Sequence, residues 1–183
     1  MRALPLHLSM GIALSLFGTS VFATTGTISF EGKITSSTCP IEIVNPGDGS
    51  VGNLVRMVEV DTSRFQAINQ DLGGKPFSLR LTPDASCGLL SPPDSNTATV
   101  TFKGTADGDH YAIRISEDPA TNVAIVIKDK TGNPVKNGDA SAVYDLSFTD
   151  PTDMQFTAFY RSTALPVTPG TASADIAFIV KIN

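Results

Sequence analysis

The chain has 183 residues, 13 Lys and Arg against 18 Asp and Glu, 41% hydrophobic and only 17% charged residues. That length fits one domain, and the composition is unlike that of a disordered protein. A formal charge of −5 with no Lys/Arg cluster argues against nucleic acid or an anionic membrane surface as partner.

In chain order, Met1-Arg2-Ala3 gives a short basic start. Leu4 to Phe22 is almost uncharged, and the stretch closes on Val21-Phe22-Ala23. A basic n-region, an apolar h-region and small residues before a cleavage point describe a secretory signal peptide over residues 1–23. Pro5 and His7 shorten the apolar run, which weakens the competing reading as a membrane anchor. Cleavage leaves 160 residues from Thr24, with a formal charge of −6.

Gly26-Thr-Ile-Ser-Phe-Glu-Gly-Lys-Ile34 follows, with Ile28, Phe30, Gly32 and Ile34 on one face and Ser29, Glu31 and Lys33 on the other. A period of two reads as a strand. Alternation alone leaves open whether it belongs to the chain's own sheet or completes another molecule. Cys39 and Cys87 both fall in the exported part, 48 residues apart. Two lone cysteines in an oxidising compartment point to a disulfide. A two-thiol metal site or a nucleophile lacks support, since His110 is the one His after the signal and no Cys-x-x-Cys exists.

Alternating runs continue through Phe77–Leu81, Val100–Phe102, Tyr111–Ile115, Met154–Tyr160 and Ile176–Ile182. Val123-Ala-Ile-Val-Ile127 is apolar throughout, which suits a strand covered on both faces. Turn clusters separate these runs: Asn45–Ser50, Leu90–Asn96, Ala106–Asp109, Lys130–Pro134 and Asn137-Gly138. Short strands at this spacing, with no long amphipathic helix, predict an antiparallel β-sandwich.

No constellation for catalysis emerges. Asp129-Lys-Thr-Gly132 matches the phosphorylated-aspartate motif of ion-pumping ATPases, but 160 residues cannot hold a nucleotide domain and membrane helices. It reads as a strand-ending turn. Asp107, Asp109 and His110 sit in a Gly-containing loop without the spaced ligand set a metal needs. One His cannot build the copper–zinc site of a superoxide dismutase sandwich. No Gly-x-Ser-x-Gly supplies a hydrolase nucleophile. The expectation is no enzyme, no metal and no cofactor.

Arm, cysteines and ending together resemble the pilin subunits of chaperone–usher (type 1) fimbriae. The residues that carry the resemblance are Gly26–Gly32, Cys39-Pro40, the run into Cys87, Ala120–Gly132, Tyr160, Pro169-Gly170 and Ala172–Asn183. One departure is Ile182, where the family usually has an aromatic; Ile176, Phe178, Val180 and Ile182 still share a face. The resemblance implies an all-β, incomplete immunoglobulin-like sandwich of six strands, missing the seventh. It implies a signal peptide over 1–23, a donor-strand extension over 24–38 and a pilin domain over 39–183. Ile28, Phe30, Gly32 and Ile34 would enter a neighbour. Ile176, Phe178, Val180 and Ile182 would line the groove that a periplasmic chaperone, and then the next subunit's arm, fills.

The implied function is a structural subunit of a surface fimbria, secreted through the periplasm with the help of a chaperone and an outer-membrane usher, and serving adhesion or biofilm formation. A repeating shaft subunit is favoured over a minor adaptor or terminator. A two-domain tip adhesin would need a lectin domain for which there is no space. A stand-alone secreted ligand-binding β-sandwich is the alternative from another class; it would expose aromatic platforms, and this chain has no Trp and three Tyr.

Overall fold

The computed structural model describes residues 39–45, 51–92 and 94–183. The signal segment and the arm, with Ile28, Phe30, Gly32 and Ile34, lie outside the described residues.

Alternating and apolar runs become nine β-strands: β1 (Ile41–Val44), β2 (Asp71–Leu81), β3 (Asn96–Gly104), β4 (Ala106–Asp107), β5 (His110–Ala112), β6 (Val123–Lys128), β7 (Tyr144–Leu146), β8 (Thr152–Ser162) and β9 (Ile176–Ile182). Six of these have four residues or more; β4, β5 and β7 have two or three. One turn of 3-10 helix, Thr62–Arg64, is capped by Asp61, whose carboxylate accepts the Ser63 N–H. The strands form two antiparallel sheets, one ordered β1-β2-β8-β6-β5-β4 and one ordered β7-β3-β9.

Period-two patterning puts one face of each sheet into a shared core. The large sheet contributes Phe77, Leu79, Leu81, Ile125, Ile127, Met154, Phe156 and Ala158; the small one contributes Ala98, Val100, Phe102, Tyr144 and Leu146. Four rings join the layers. Phe156 of the large sheet meets Phe102 edge-on at 4.9 Å and Tyr144 at 5.4 Å, and it stacks on Phe77 at 5.7 Å. Such ring pairs add about 0.5–1.5 kcal/mol each beyond the area they bury. Cys39 and Cys87 form a disulfide that ties the start of β1 to the loop after β2.

The apolar run of β6 is buried on both faces. Ile125 and Ile127 point into the core, while Ala124 and Val126 on the other face are 0% and 1% exposed. Their cross-strand partners on β8 are Arg161 and Phe159. Asp71 of β2 accepts a two-pronged bond from Arg161 (2.6 and 2.7 Å) and a contact from Lys128 (2.8 Å). Lys128 also lies 4.9 Å from the Phe159 ring centre. Burial opposes the charge on Asp71, but the bonds from Arg161 and Lys128 outweigh it and hold its pKa below the ordinary carboxylate value.

Two features differ from the sequence reading. The alternation of Tyr111–Ile115 predicts five strand residues, but β5 stops at Ala112. Beyond it the chain turns to another partner, with Arg114 N–H donating to Ser173 O at 2.7 Å, and Ile115 is 93% exposed. The second is a bulge in β2. Tyr160 pairs with Leu72 and Ala158 with Lys75, so Gly73 and Gly74 together oppose Phe159. Gly73 has φ 69°, and a Cβ there would lie 2.7 Å from a Val60 methyl; one on Gly74 would lie 2.6 Å from the Phe159 ring.

Gly73→Ala should therefore cost about 1–3 kcal/mol in chemical denaturation, combining a left-handed backbone with a clash. Asp71→Asn should lower stability at neutral pH and flatten the acid limb of the pH–stability curve. The Asp71 pKa is depressed in the fold, so its contribution is full above the unfolded value and is lost as pH falls through the folded one.

Candidate functional site

The flank of the sandwich that carries β9 has a distinct geometry. Alternation along Ile176-Ala-Phe-Ile-Val-Lys-Ile182 places Ile176, Phe178, Val180 and Ile182 on one face, where they are half-buried against the main core. Ala177, Ile179 and Lys181 point outward and are exposed. Seven register pairs bind β9 to β3, from Gly104↔Ile176 to Ala98↔Ile182. The pairing runs to the chain end, because Asn183 and Thr97 exchange backbone bonds of 2.8 and 3.2 Å. Ile182 therefore occupies a regular ladder position. Among the described residues, β3 is the one strand that pairs with β9, so its other backbone edge faces away from the small sheet.

What lies across from that edge follows from the opposite flank. Tyr144 of β7 donates to Gln155 O of β8 and accepts the Lys130 N–H beyond β6. The β7 side of the small sheet thus sits over the β6 side of the large one, and β9 sits toward the β1 side. There β1 pairs with the Ser78–Leu81 end of β2, and residues 58 and 60 approach its other end. Ile43 pairs with Leu79, and Val58 and Val60 approach Gly73. Ile41, Ile43, Val55 and Met57 are half-buried against the same core as the β9 face. The half-buried apolar faces of β9, of β1 and of residues 55–57 thus all border one core.

One end of this flank opens into a cavity of about 460 Å³, lined by Met57, Val60, Phe65, Val123, Tyr160, Val167 and Gly170 among others. Its rim is the segment leading into β9. Thr171 N–H donates to Asp118 O (2.7 Å), and Ala120 N–H donates to Thr171 O (3.0 Å). Gly170, at φ 155°, passes so close that a Cβ would lie 2.5 Å from Ala120 N. The backbone of Pro119 and Ala120 leaves no room for a side chain there.

Sequence reasoning singled out the β9 face and passed over the apolar face of β1 and residues 55–57. Its signal was present in Ile41-Glu-Ile43 and Val55-Arg-Met57, two short alternations split by the turn cluster Asn45–Ser50. The remaining candidates have local roles. The Asp129 carboxylate accepts the N–H groups of Thr131 (2.9 Å) and Ala142 (2.8 Å), closing the turn after β6. Asp109 pairs with Lys136 at 3.0 Å in the β4–β5 turn. Among the described residues no group of three His, Cys, Asp or Glu side chains is placed to hold a metal, and no helix is long and apolar enough to cross a membrane.

The two faces of β9 should respond differently to charge. Phe178→Asp should cost about 2–4 kcal/mol of stability. Lys181→Asp, on the outward face, should stay within about ±0.5 kcal/mol. Urea denaturation of the two variants compares them directly.

Comparison with known proteins gives a consistent picture. The sequence profile of the fimbrial protein family matches residues 28–183. A type 1 fimbrial subunit of Salmonella typhimurium is 34% identical over 169 residues, covering 89% of this chain and 85% of that protein. The A chain of the type-1 fimbrial protein of Salmonella typhi is 33% identical, covering 93% and 90%. Among solved structures, the Burkholderia pseudomallei antigen and type I fimbria protein superposes with a TM-score of 0.57 at 24% identity, covering 79% of this chain and 99% of that one. At that identity the likeness speaks for the fold alone.

Proposed function

Since the chain belongs to the fimbrial protein family, a family of structural proteins and not of enzymes, we propose that it works as a shaft subunit of a surface fimbria, joined to its neighbours by strand donation. Residues 1–23 direct export and are removed, residues 24–38 form the donor arm, and residues 39–183 form the acceptor domain. The observation that carries this reading is the half-buried apolar face of β9, which borders the same core as the apolar residues of β1 and of 55–57. These faces would form the two walls of a trough, and among the described residues β3 is the strand that pairs with β9.

Strand addition answers both needs of such an edge. It supplies backbone bonds to β9 and alternate side chains to the trough. The arm from Thr24 to Ile34 has eleven residues. At roughly 3.3 Å per residue it reaches about 36 Å, enough to run the length of a sandwich. Burying Ile28, Phe30 and Ile34 contributes about 1.5–3 kcal/mol each. Gly32 keeps the parity without a side chain and fits a narrow part of the trough. Before polymerisation, a periplasmic chaperone lends its own strand to the same trough, and an outer-membrane usher oversees the exchange. The donor and acceptor surfaces lie on different parts of the chain, so the joint repeats head to tail without closing and builds a filament.

Phe30→Asp places a charge in the apolar trough of the next subunit, and it should abolish the ladder of heat-resistant multimers seen on gels of unboiled fibres. Lys33→Asp, on the outward parity, should leave the ladder intact. Equal ladders for the two variants would remove the arm from the joint and leave the family fold without this mechanism.

A further inference from the structure

The ion cluster on the outer face of the large sheet contains a group that the strand joint does not use. His110 opens β5, and its Nε2 lies 3.1 Å from Nη1 of Arg161 on β8. A guanidinium only donates hydrogen bonds, so Nε2 must accept, and the ring is neutral with its proton on Nδ1. Arg161 cannot move to accommodate a change. Its Nε and Nη2 are fixed on Asp71, which also holds Lys128, and it belongs to the long strand β8.

The hairpin of β4 and β5 that carries His110 is short and sits at the edge of the sheet. Only Tyr111 and Ala112 pair with β6. Four elements present charge to the imidazole. They are Arg161 from β8, Asp71 from β2 with Lys128 of β6 bound to it, and Asp107 of β4, directly opposite in register. Asp109 in the turn is the last, and Lys136 already occupies it.

We propose that His110 is an acid-sensitive latch, holding the edge hairpin against the sheet while neutral and releasing it once protonated. Protonation puts a hydrogen on the atom that accepts from Arg161 and sets two cations face to face. The rigid partner stays with Asp71, and the imidazolium turns toward Asp107. Tyr111, buried and bonded to Val135 O, keeps the rest of β5 in place. The loosening is thus confined to the turn 106–110 and the edge it covers. Burial and then the Arg161 charge hold the imidazole below its ordinary pKa of about 6.5. A depressed value means that the latch is closed above 6.5 and is lost as pH falls from there through the folded value.

Assembled fibres provide the test, since His110 is the one histidine left after removal of residues 1–23. Deuterium exchange at the imidazole C2 position, read by mass spectrometry across pH, should give a midpoint below 6.5. Backbone amide exchange of the peptide spanning 105–112, corrected for intrinsic rates, should rise as pH falls from 6.5 through that midpoint and level off below it. The rise should be about tenfold for each unit by which the titration is depressed. His110→Gln, whose side-chain oxygen accepts from Arg161 at every pH, should show no such rise. A midpoint at or above 6.5, or the same pH response in wild type and His110→Gln, would overturn the latch. The wild-type titration decides the matter by itself if the variant does not assemble.

Discussion

The organising constraint is a mismatch of width: among the described residues a sheet of three strands faces a sheet of six. Two packed sheets share one core only where both are present, and apolar residues beyond that overlap must be covered by something else. On the β7 side the chain supplies its own cover. Tyr144 reaches across to Gln155, Thr101 bridges to Ala140, and Val135 N–H donates to Ile127 O. On the β9 side, among the described residues, β1 and residues 55–57 bring their apolar side chains to the same core as β9.

The bracing is local and specific. The disulfide anchors the chain at the point where β1 begins, and closing a loop of 48 residues contributes on the order of 4 kcal/mol in the chain-entropy picture. The two-glycine bulge of β2 lets Val58 and Val60 come down onto Tyr160, so their segment lies close against the sheet. Gly170 does the same for the segment entering β9, bringing it against the backbone of Pro119 and Ala120. Each device holds one of these segments close to the sheet, as the walls of the proposed joint require. That is what a surface needs if an incoming strand is to find its register already set.

Legibility in the sequence tracked how local the cause was. The limits of β9 could be read to the residue, because seven alternating residues follow a Pro-Gly turn and nothing distant competes. The double coverage of β6 was legible from composition alone, although its means, the Asp71, Arg161 and Lys128 cluster, joins residues up to ninety positions apart. Tyr111–Ile115 has a sound strand pattern, yet Arg114 finds a better partner in Ser173 than in the sheet, a competition invisible from the segment itself. Gly73-Gly74 gave no hint of which strand would bulge or which ring would fill the space. The apolar face of β1 and residues 55–57 was hidden by the Asn45–Ser50 interruption. A donor-strand groove on this flank was proposed from the sequence only through family resemblance.

An exposed apolar trough invites any strand, so selectivity has to come from elsewhere. Parity is one filter. A partner must present apolar residues at alternate positions while its polar positions face water, and a slip of one residue along β9 exchanges the two sets entirely. In the proposed joint, Ser29, Glu31 and Lys33 fall outward only when Ile28, Phe30 and Ile34 fall inward, which ties the register to the burial. Charge is the second filter. A chain of formal charge −5 repels its own kind at distances where apolar contact has no reach, so in the proposed joint non-specific pairing is disfavoured until an arm is threaded. Repulsion that is diffuse and screened by salt loses to a joint of several buried side chains and a row of backbone bonds. The same surface charge therefore suppresses wrong association and tolerates the right one.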